Sequence, residues 1–372
     1  VTKILRTGAP TDSTHSPQPG TCWTCKSPDV PRLIKEVGAE TYYSAPWDQW
    51  GSQIVNPIGC ATCHDTKTMK LQVSQLALIE AMQRTGKDVN KATHQEMRSL
   101  VCAQCHVEYH FKGDKKYLNF PWDNGKTVED MEKYYDDAGW TDYVHTLSRT
   151  PILKAQHPDF EISQFGIHGQ RGVSCADCHM PYKTDGAVKF TDHQISSPLR
   201  NVSASCQTCH RQSEDDLKKN VFDRQDAVFS LRNRLEKQLA KDHFKAKFLW
   251  DNGATEEQMK PILALLRKSQ WRWDYITASH GSAFHAPVEA MRVLSDGMNF
   301  ALQADTEMEV LTSKLGVKTA FVMPDISTKA KAQKEIGLDI PKEEAAKKKF
   351  LETIVPKWIE EAKKAGRLVS QK

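Results

Sequence analysis

Ten cysteines fall into five Cys-x-x-Cys pairs, and the pairing uses every cysteine of the 372-residue chain. Four pairs run directly into histidine: Cys60, Cys63 and His64; Cys102, Cys105 and His106; Cys175, Cys178 and His179; Cys206, Cys209 and His210. Cys-x-x-Cys-His is the attachment pattern of c-type haem, in which two thiols add to the vinyl groups and the imidazole binds iron from one side. The remaining pair, Cys22-Trp23-Thr24-Cys25-Lys26, keeps the thiols but puts lysine where the imidazole should stand. A lysine amine binds iron only as the neutral base. At neutral pH it must therefore give up a proton, at a cost of roughly 4–5 kcal/mol that the iron bond has to offset. Such a ligand marks a reactive centre rather than a routine electron carrier.

Zinc ribbons and disulfides also use paired cysteines. Zinc knuckles need two pairs per metal, however, and neither alternative accounts for four pairs ending in histidine at once. Covalent haem is the reading that covers the set. An electron-transfer haem takes two strong axial ligands, whereas a catalytic haem keeps one position open for substrate. Outside the motifs lie His15, His94, His110, His145, His157, His168, His193, His243, His280 and His285. Spacing does not choose among them, because a distal ligand can come from anywhere in the fold. These residues alone yield four carriers, one reactive centre and no substrate.

The elements that must position these groups divide the chain in two. Residues 1 to 59 are punctuated by proline and glycine and read as wrapping rather than sheet. Leu71 to Gly86 reads as a short helix, and Met97 to Cys105 as a helix leading into the third motif. Residues 160 to 210 are loop-rich. From Ser213 the character changes: Val221, Val228, Leu231, Leu235 and Leu239 form the apolar stripe of a long amphipathic helix. A second helix is expected from about Thr255 to Ser279 and a third from about Pro287 to Leu315, with proline at its first turn. Pro324 and Pro341 bound a linker, and Lys342 to Ala365 reads as a final helix. The expected fold is mainly α, a multihaem cytochrome c arrangement with a haem-binding and catalytic part at residues 1–212. Residues 213–372 would be a long-helix part for packing and dimerisation, within one continuous domain.

Only 39% of the chain is hydrophobic and 26% is charged, which suits a body whose core is partly porphyrin. No apolar run approaches the ~20 residues of a membrane helix. The formal charge of +4 becomes about −2 once five haems, their propionates and a neutral Lys26 are included, so nucleic-acid binding is not indicated. The chain starts at Val1 without a signal peptide although c-type haem is attached outside the cytoplasm, so a processed or truncated product is expected.

One lysine-terminated motif followed by four histidine-terminated ones resembles the pentahaem cytochrome c nitrite reductases, which form ammonia. Supporting stretches are Leu5-Arg6-Thr7-Gly8-Ala9-Pro10, Cys105-His106-Val107-Glu108-Tyr109, Lys154-Ala155-Gln156-His157-Pro158 and Trp271-Arg272-Trp273-Asp274. The likeness spans essentially the whole chain. It implies that Lys26 is the proximal ligand of the catalytic haem, with Arg6, Tyr109 and His157 lining the open face. It further implies one calcium ion held by Glu108, the carbonyls of Tyr109 and Lys154, and the Gln156 side chain, oxygen donors that suit this hard cation. Distal ligands are implied at His193 for the Cys60 haem, His285 for the Cys175 haem and His168 for the Cys206 haem. The family takes the distal ligand of the Cys102 haem from upstream of the Arg6 stretch. Here either that segment is absent or His15 or another residue substitutes, and absence is the expectation.

The resemblance thus implies a periplasmic homodimer with five covalent haems that reduces nitrite to ammonium. Electrons would enter at the Cys60 haem from a membrane-anchored multihaem quinol dehydrogenase or a soluble multihaem cytochrome. Hydroxylamine and nitric oxide are expected as further substrates. The rival readings are an electron-transfer or storage cytochrome with a closed first haem, and a reductase of hydroxylamine or tetrathionate.

Overall fold

The computed structural model describes residues 18–368. Among these residues the fold is mainly helical, with strands confined to three two-stranded antiparallel ribbons, one of which pairs Tyr182–Asp185 with Val188–Thr191. Two compact units can be separated among these residues, the first comprising residues 18–89, 110–120 and 324–368 and the second residues 90–109 and 121–323.

In the second unit, three long helices supply the framework. Glu214–Asp251, 38 residues and about 57 Å long at 1.5 Å per residue, begins on Ser213, whose side chain accepts the Asp216 N–H. Glu214, Asp215 and Asp216 place negative charge at its positive end. Glu256–Ala278 starts with a reciprocal Thr255/Gln258 capping box, and Pro287–Lys314 opens with proline in its first turn. Val228, Leu235 and Leu239 of the first helix meet Trp271 and Tyr275 of the second and Val293, Leu294 and Ala301 of the third in one buried core. The expected stripe is thus the packed face, and Leu231 sits at its margin. A buried, two-pronged Arg272–Glu132 ion pair, 3.0 and 3.2 Å, crosses from the second helix to the Val128–Asp137 helix.

The first unit is built of short pieces. Leu76–Arg84 is helical, but residues 71–75 are not, because Leu71 bridges His64 and the Gln72 N–H bonds the Cys63 carbonyl. Two helices absent from the sequence reading, Asp29–Val37 and Ala39–Ser44, lie within the proline-rich opening. The final helix is two, Ile340–Thr353 and Val355–Lys364. Pro356 cannot donate to residue 352 and its ring collides with that turn, so the rod breaks at Ile354. A further short helix, Lys329–Glu335, occupies the expected linker.

Candidate functional site

The Cys22–Lys26 segment is a tight turn, beginning with the 3-10 piece Gly20–Trp23, and it is tied down at almost every residue. The Thr21 hydroxyl donates to the Lys116 carbonyl at 2.6 Å, the Trp23 indole to the Trp47 carbonyl at 2.7 Å, and the Gln75 amide to the Thr24 carbonyl at 2.9 Å. Ser27 Oγ donates to the Asn56 carbonyl at 2.6 Å. Lys26 itself is exposed at the end of this pinned turn. Behind the turn stands an aromatic wall: Trp23 and Trp47 centroids are 5.3 Å apart, Trp47 and Trp358 5.4 Å, and Trp47 and Phe350 5.7 Å. The C-terminal helices therefore brace the lysine motif. Asp29 connects it to the next one: its buried carboxylate accepts the Val55 and Asn56 N–H groups, each at 2.9 Å, on the approach to Cys60.

The His94–Ala103 helix, capped by Thr93 and Glu96, delivers Cys102, and the Cys175–His179 helix carries the fourth motif whole. Both belong to the second unit and are clamped together. Arg98 reaches Asp177 at 3.0 Å, and Ser99 Oγ accepts the Cys175 N–H at 3.2 Å.

None of the ten cysteines is joined to another in a disulfide. Two histidine pairs match the spacing that one iron imposes. With metal–nitrogen bonds of about 2 Å on either side, imidazole centroids fall about 6 Å apart. His179 and His285 are 6.2 Å apart, and His168 and His210 are 6.0 Å apart. The tautomers agree: Nδ1 of His64 lies 2.7 Å from the Met69 carbonyl, that of His179 3.0 Å from Ser196 O, and that of His193 2.8 Å from Thr191 O. An N–H spent on a carbonyl leaves the other ring nitrogen as the base that binds metal. His285 keeps a buried Nδ1 without a partner among the described residues, and burial pushes its pKa down, towards the neutral ligand form. The residues present therefore fit haem.

Glu108 is fully buried. Its carboxylate accepts the Tyr135 hydroxyl at 2.9 Å and the Gln156 N–H at 2.7 Å, while the Lys154 carbonyl accepts from the Gln156 amide at 3.2 Å. The residues assigned to calcium other than Tyr109 are thus joined by direct hydrogen bonds, and Tyr109 follows Glu108 in the chain. Burial pushes the Glu108 carboxyl well above the ordinary carboxylate range, and Glu161 and Asp142 add repulsion. Burial likewise raises Glu161 to about 8 and Asp142 to about 6. A divalent cation would relieve that crowding, so the oxygen set fits calcium. Among the described residues no group of three or more His, Cys, Asp or Glu is placed to hold a metal, so a calcium ion here would draw on carbonyl and amide oxygens beside the Glu108 carboxylate.

Tyr109 is half-buried and His157 is exposed. Desolvation first, then the neighbouring His280, lowers the His157 pKa. Arg6 and His15 lie outside the described residues. Two residues that the sequence did not single out, Glu161 and Asp159, stand next to the assigned ones, as does His280, named above only as one of ten histidines outside the motifs. Glu161 bonds the Glu108 N–H, Asp159 bonds the His106 side and the Ser279–Gly281 turn, and His280 faces His157. An acid after Pro158 looks like an ordinary helix start, and nothing in its spacing points across 120 residues to Ser279.

Residues 1–369 match the family model described as cytochrome c552. The chain belongs to the cytochrome c552 family. It is 62% identical over 371 residues to the cytochrome c-552 of Bacteroides thetaiotaomicron, covering 100% of this chain and 75% of that protein. The cytochrome c-552 of Haemophilus influenzae is 47% identical over 394 residues, covering 99% and 73%. Among solved structures, a cytochrome c nitrite reductase from Desulfovibrio desulfuricans, whose catalytic subunit has two calcium sites, aligns with a TM-score of 0.76 at 32% identity. That alignment covers 81% of this chain and 68% of the other. The mainly α multihaem fold expected for a cytochrome c552 is therefore the fold observed.

Proposed function

We infer that this chain is an ammonia-forming cytochrome c nitrite reductase. One observation carries the reading: a single lysine-terminated haem motif among four histidine-terminated ones, in a cytochrome c552 similar to a known nitrite reductase. Converting nitrite to ammonium and two waters takes six electrons and eight protons. When bound, the haems supply electron storage and an iron at which an anion can bind. The chain's own residues then attract the anion, hold it and deliver protons.

Lys26 would hold the catalytic haem's iron through its amine in this reading. Arg6 supplies permanent positive charge and hydrogen bonds to the anion. His157 hydrogen-bonds the departing oxygens, and Tyr109 donates a proton or positions what remains. Calcium on Glu108, the Tyr109 and Lys154 carbonyls and Gln156 would fix Tyr109 and His157 in register. His193, His285 and His168 would help hold the Cys60, Cys175 and Cys206 haems as their second protein ligands, and that of the Cys102 haem would come from upstream of the Arg6 stretch. Residues 1–212 carry the haems, and residues 213–372 pack and dimerise.

Among the described residues no helix is long and apolar enough to cross a membrane. The setting we propose is the periplasm, with a homodimer receiving electrons from a multihaem cytochrome, either a membrane-anchored quinol dehydrogenase or a soluble protein. Hydroxylamine and nitric oxide are further substrates. The test is electron paramagnetic resonance of the oxidised, haem-loaded protein. An open lysine-ligated centre gives a high-spin signal that nitrite perturbs. Low-spin signals indifferent to nitrite would instead describe a closed electron carrier.

A further inference from the structure

Two histidine pairs outside the haem motifs lie close together, and they differ in kind. His145 and His243 stack at 3.9 Å, 16° from parallel, and His243 places Nδ1 2.8 Å from Ser148 Oγ and Nε2 3.3 Å from Gln270. That pair is packing. His157 and His280 lie 6.0 Å apart with planes 39° from parallel. Both rings are exposed, and neither has a hydrogen-bond partner among the described residues. An exposed side chain usually sits on tolerant backbone, but here it does not. The Ser279 hydroxyl and the Gly281 N–H both donate to Asp159 Oδ1, at 3.1 and 3.2 Å, and Ser279 is 2% exposed. A Cβ on Gly281 would run into the His285 ring. The Asp159 N–H in turn donates to the His157 carbonyl at 2.7 Å. One aspartate thus fixes both segments that carry the rings.

We propose that His280 is a second substrate-contacting imidazole, which with His157 holds the nitrite anion and its departing oxygens through an N–H from each side. The spacing suits this role. An oxygen that accepts two N–H groups at ~2.9 Å each bridges nitrogens about 4–6 Å apart, which is what two tilted rings 6.0 Å apart between centroids can present. Stacked rings could not admit the oxygen. The proposal rests on the reading of His157 as a substrate residue.

The experiment compares His280→Ala, His280→Gln and His157→Ala in the haem-loaded protein. Two quantities are read: the nitrite Kd from the change in the high-spin signal of the oxidised protein, and KM and kcat for nitrite beside those for hydroxylamine, which is uncharged at neutral pH. His280→Ala should raise the nitrite Kd and KM roughly tenfold or more, the worth of a charge-assisted hydrogen bond. His280→Gln should recover much of that, and hydroxylamine KM should move less. A nitrite Kd within twofold of the parent in His280→Ala, while His157→Ala raises it, overturns the proposal and leaves the His157 reading standing. No change in either variant overturns both. Should His280→Ala fail to hold its haems, His280→Phe fills the space without an N–H and is read by the same criterion.

Discussion

Glu161 accepts the backbone N–H of Glu108 at 2.9 Å through a carboxylate oxygen that also accepts the Trp122 indole N–H at 2.8 Å. Glu161 is fully buried, and this contact sets the direction in which Glu108 and Tyr109 leave the third haem motif. Glu161→Ala would strand both N–H groups without a partner, at roughly 1–3 kcal/mol each. We expect it to weaken calcium retention 10- to 100-fold, as loss of a supporting partner does at other metal sites. Glu161→Gln keeps an acceptor oxygen and should retain calcium. Calcium titration after chelation checks both, and parental affinity in Glu161→Ala would contradict the positioning role.

The C-terminal brace is testable through Gly51. A Cβ there would overlap the Trp358 indole, in the wall that supports Trp23. Gly51→Ala should cost about 1–3 kcal/mol, as overpacking does, and should appear as a lower melting temperature and faster proteolysis after residue 324. The charge sequence at Lys26 is unaltered, so nitrite turnover should fall only as far as the turn itself loosens.

Acid stability should report on His243. Burial, with His145 alongside, lowers its pKa from the usual 6.5 to about 3. The unfolded chain therefore binds a proton below about pH 6.5 that the folded chain refuses until about pH 3. Stability contributed by the neutral ring is present above pH 6.5 and is lost progressively as pH falls through that window, by a few kcal/mol in all. His243→Gln should flatten the melting-temperature profile between pH 6.5 and 3 relative to the parent protein, while costing stability at pH 7 through the lost Ser148 contact.

Lys26→His should keep the haem attached, since Cys22 and Cys25 remain, but change nitrite turnover. His157→Ala should impair nitrite reduction while the other haems stay reducible, which optical titration distinguishes from general collapse. Unchanged nitrite kinetics in both variants would remove the catalytic assignments.

The parts of the molecule legible in the sequence are those with short-range rules. Five cysteine motifs are written in consecutive residues, and the Val221 to Leu239 stripe announces a long helix whose buried face is the one observed. The hidden parts depend on contacts between distant residues. Glu161 meets Glu108 across 53 residues, and Asp159 meets Ser279 and His280 meets His157 only after the long helices fold back. The break at Ile354 was legible in principle from Pro356, whereas the unravelled start before Leu76 was not, because the His64–Leu71 bridge competes with the helix. The histidine pairings His179–His285 and His168–His210 belong to the same class, invisible to spacing and plain in the fold.

The most direct test is the ammonium yield per nitrite, with isotopically labelled nitrite and a low-potential electron donor. The account predicts one labelled ammonium for each nitrite consumed, with no hydroxylamine or nitric oxide accumulating. Intact, haem-loaded protein that accepts electrons and forms no ammonium would contradict it.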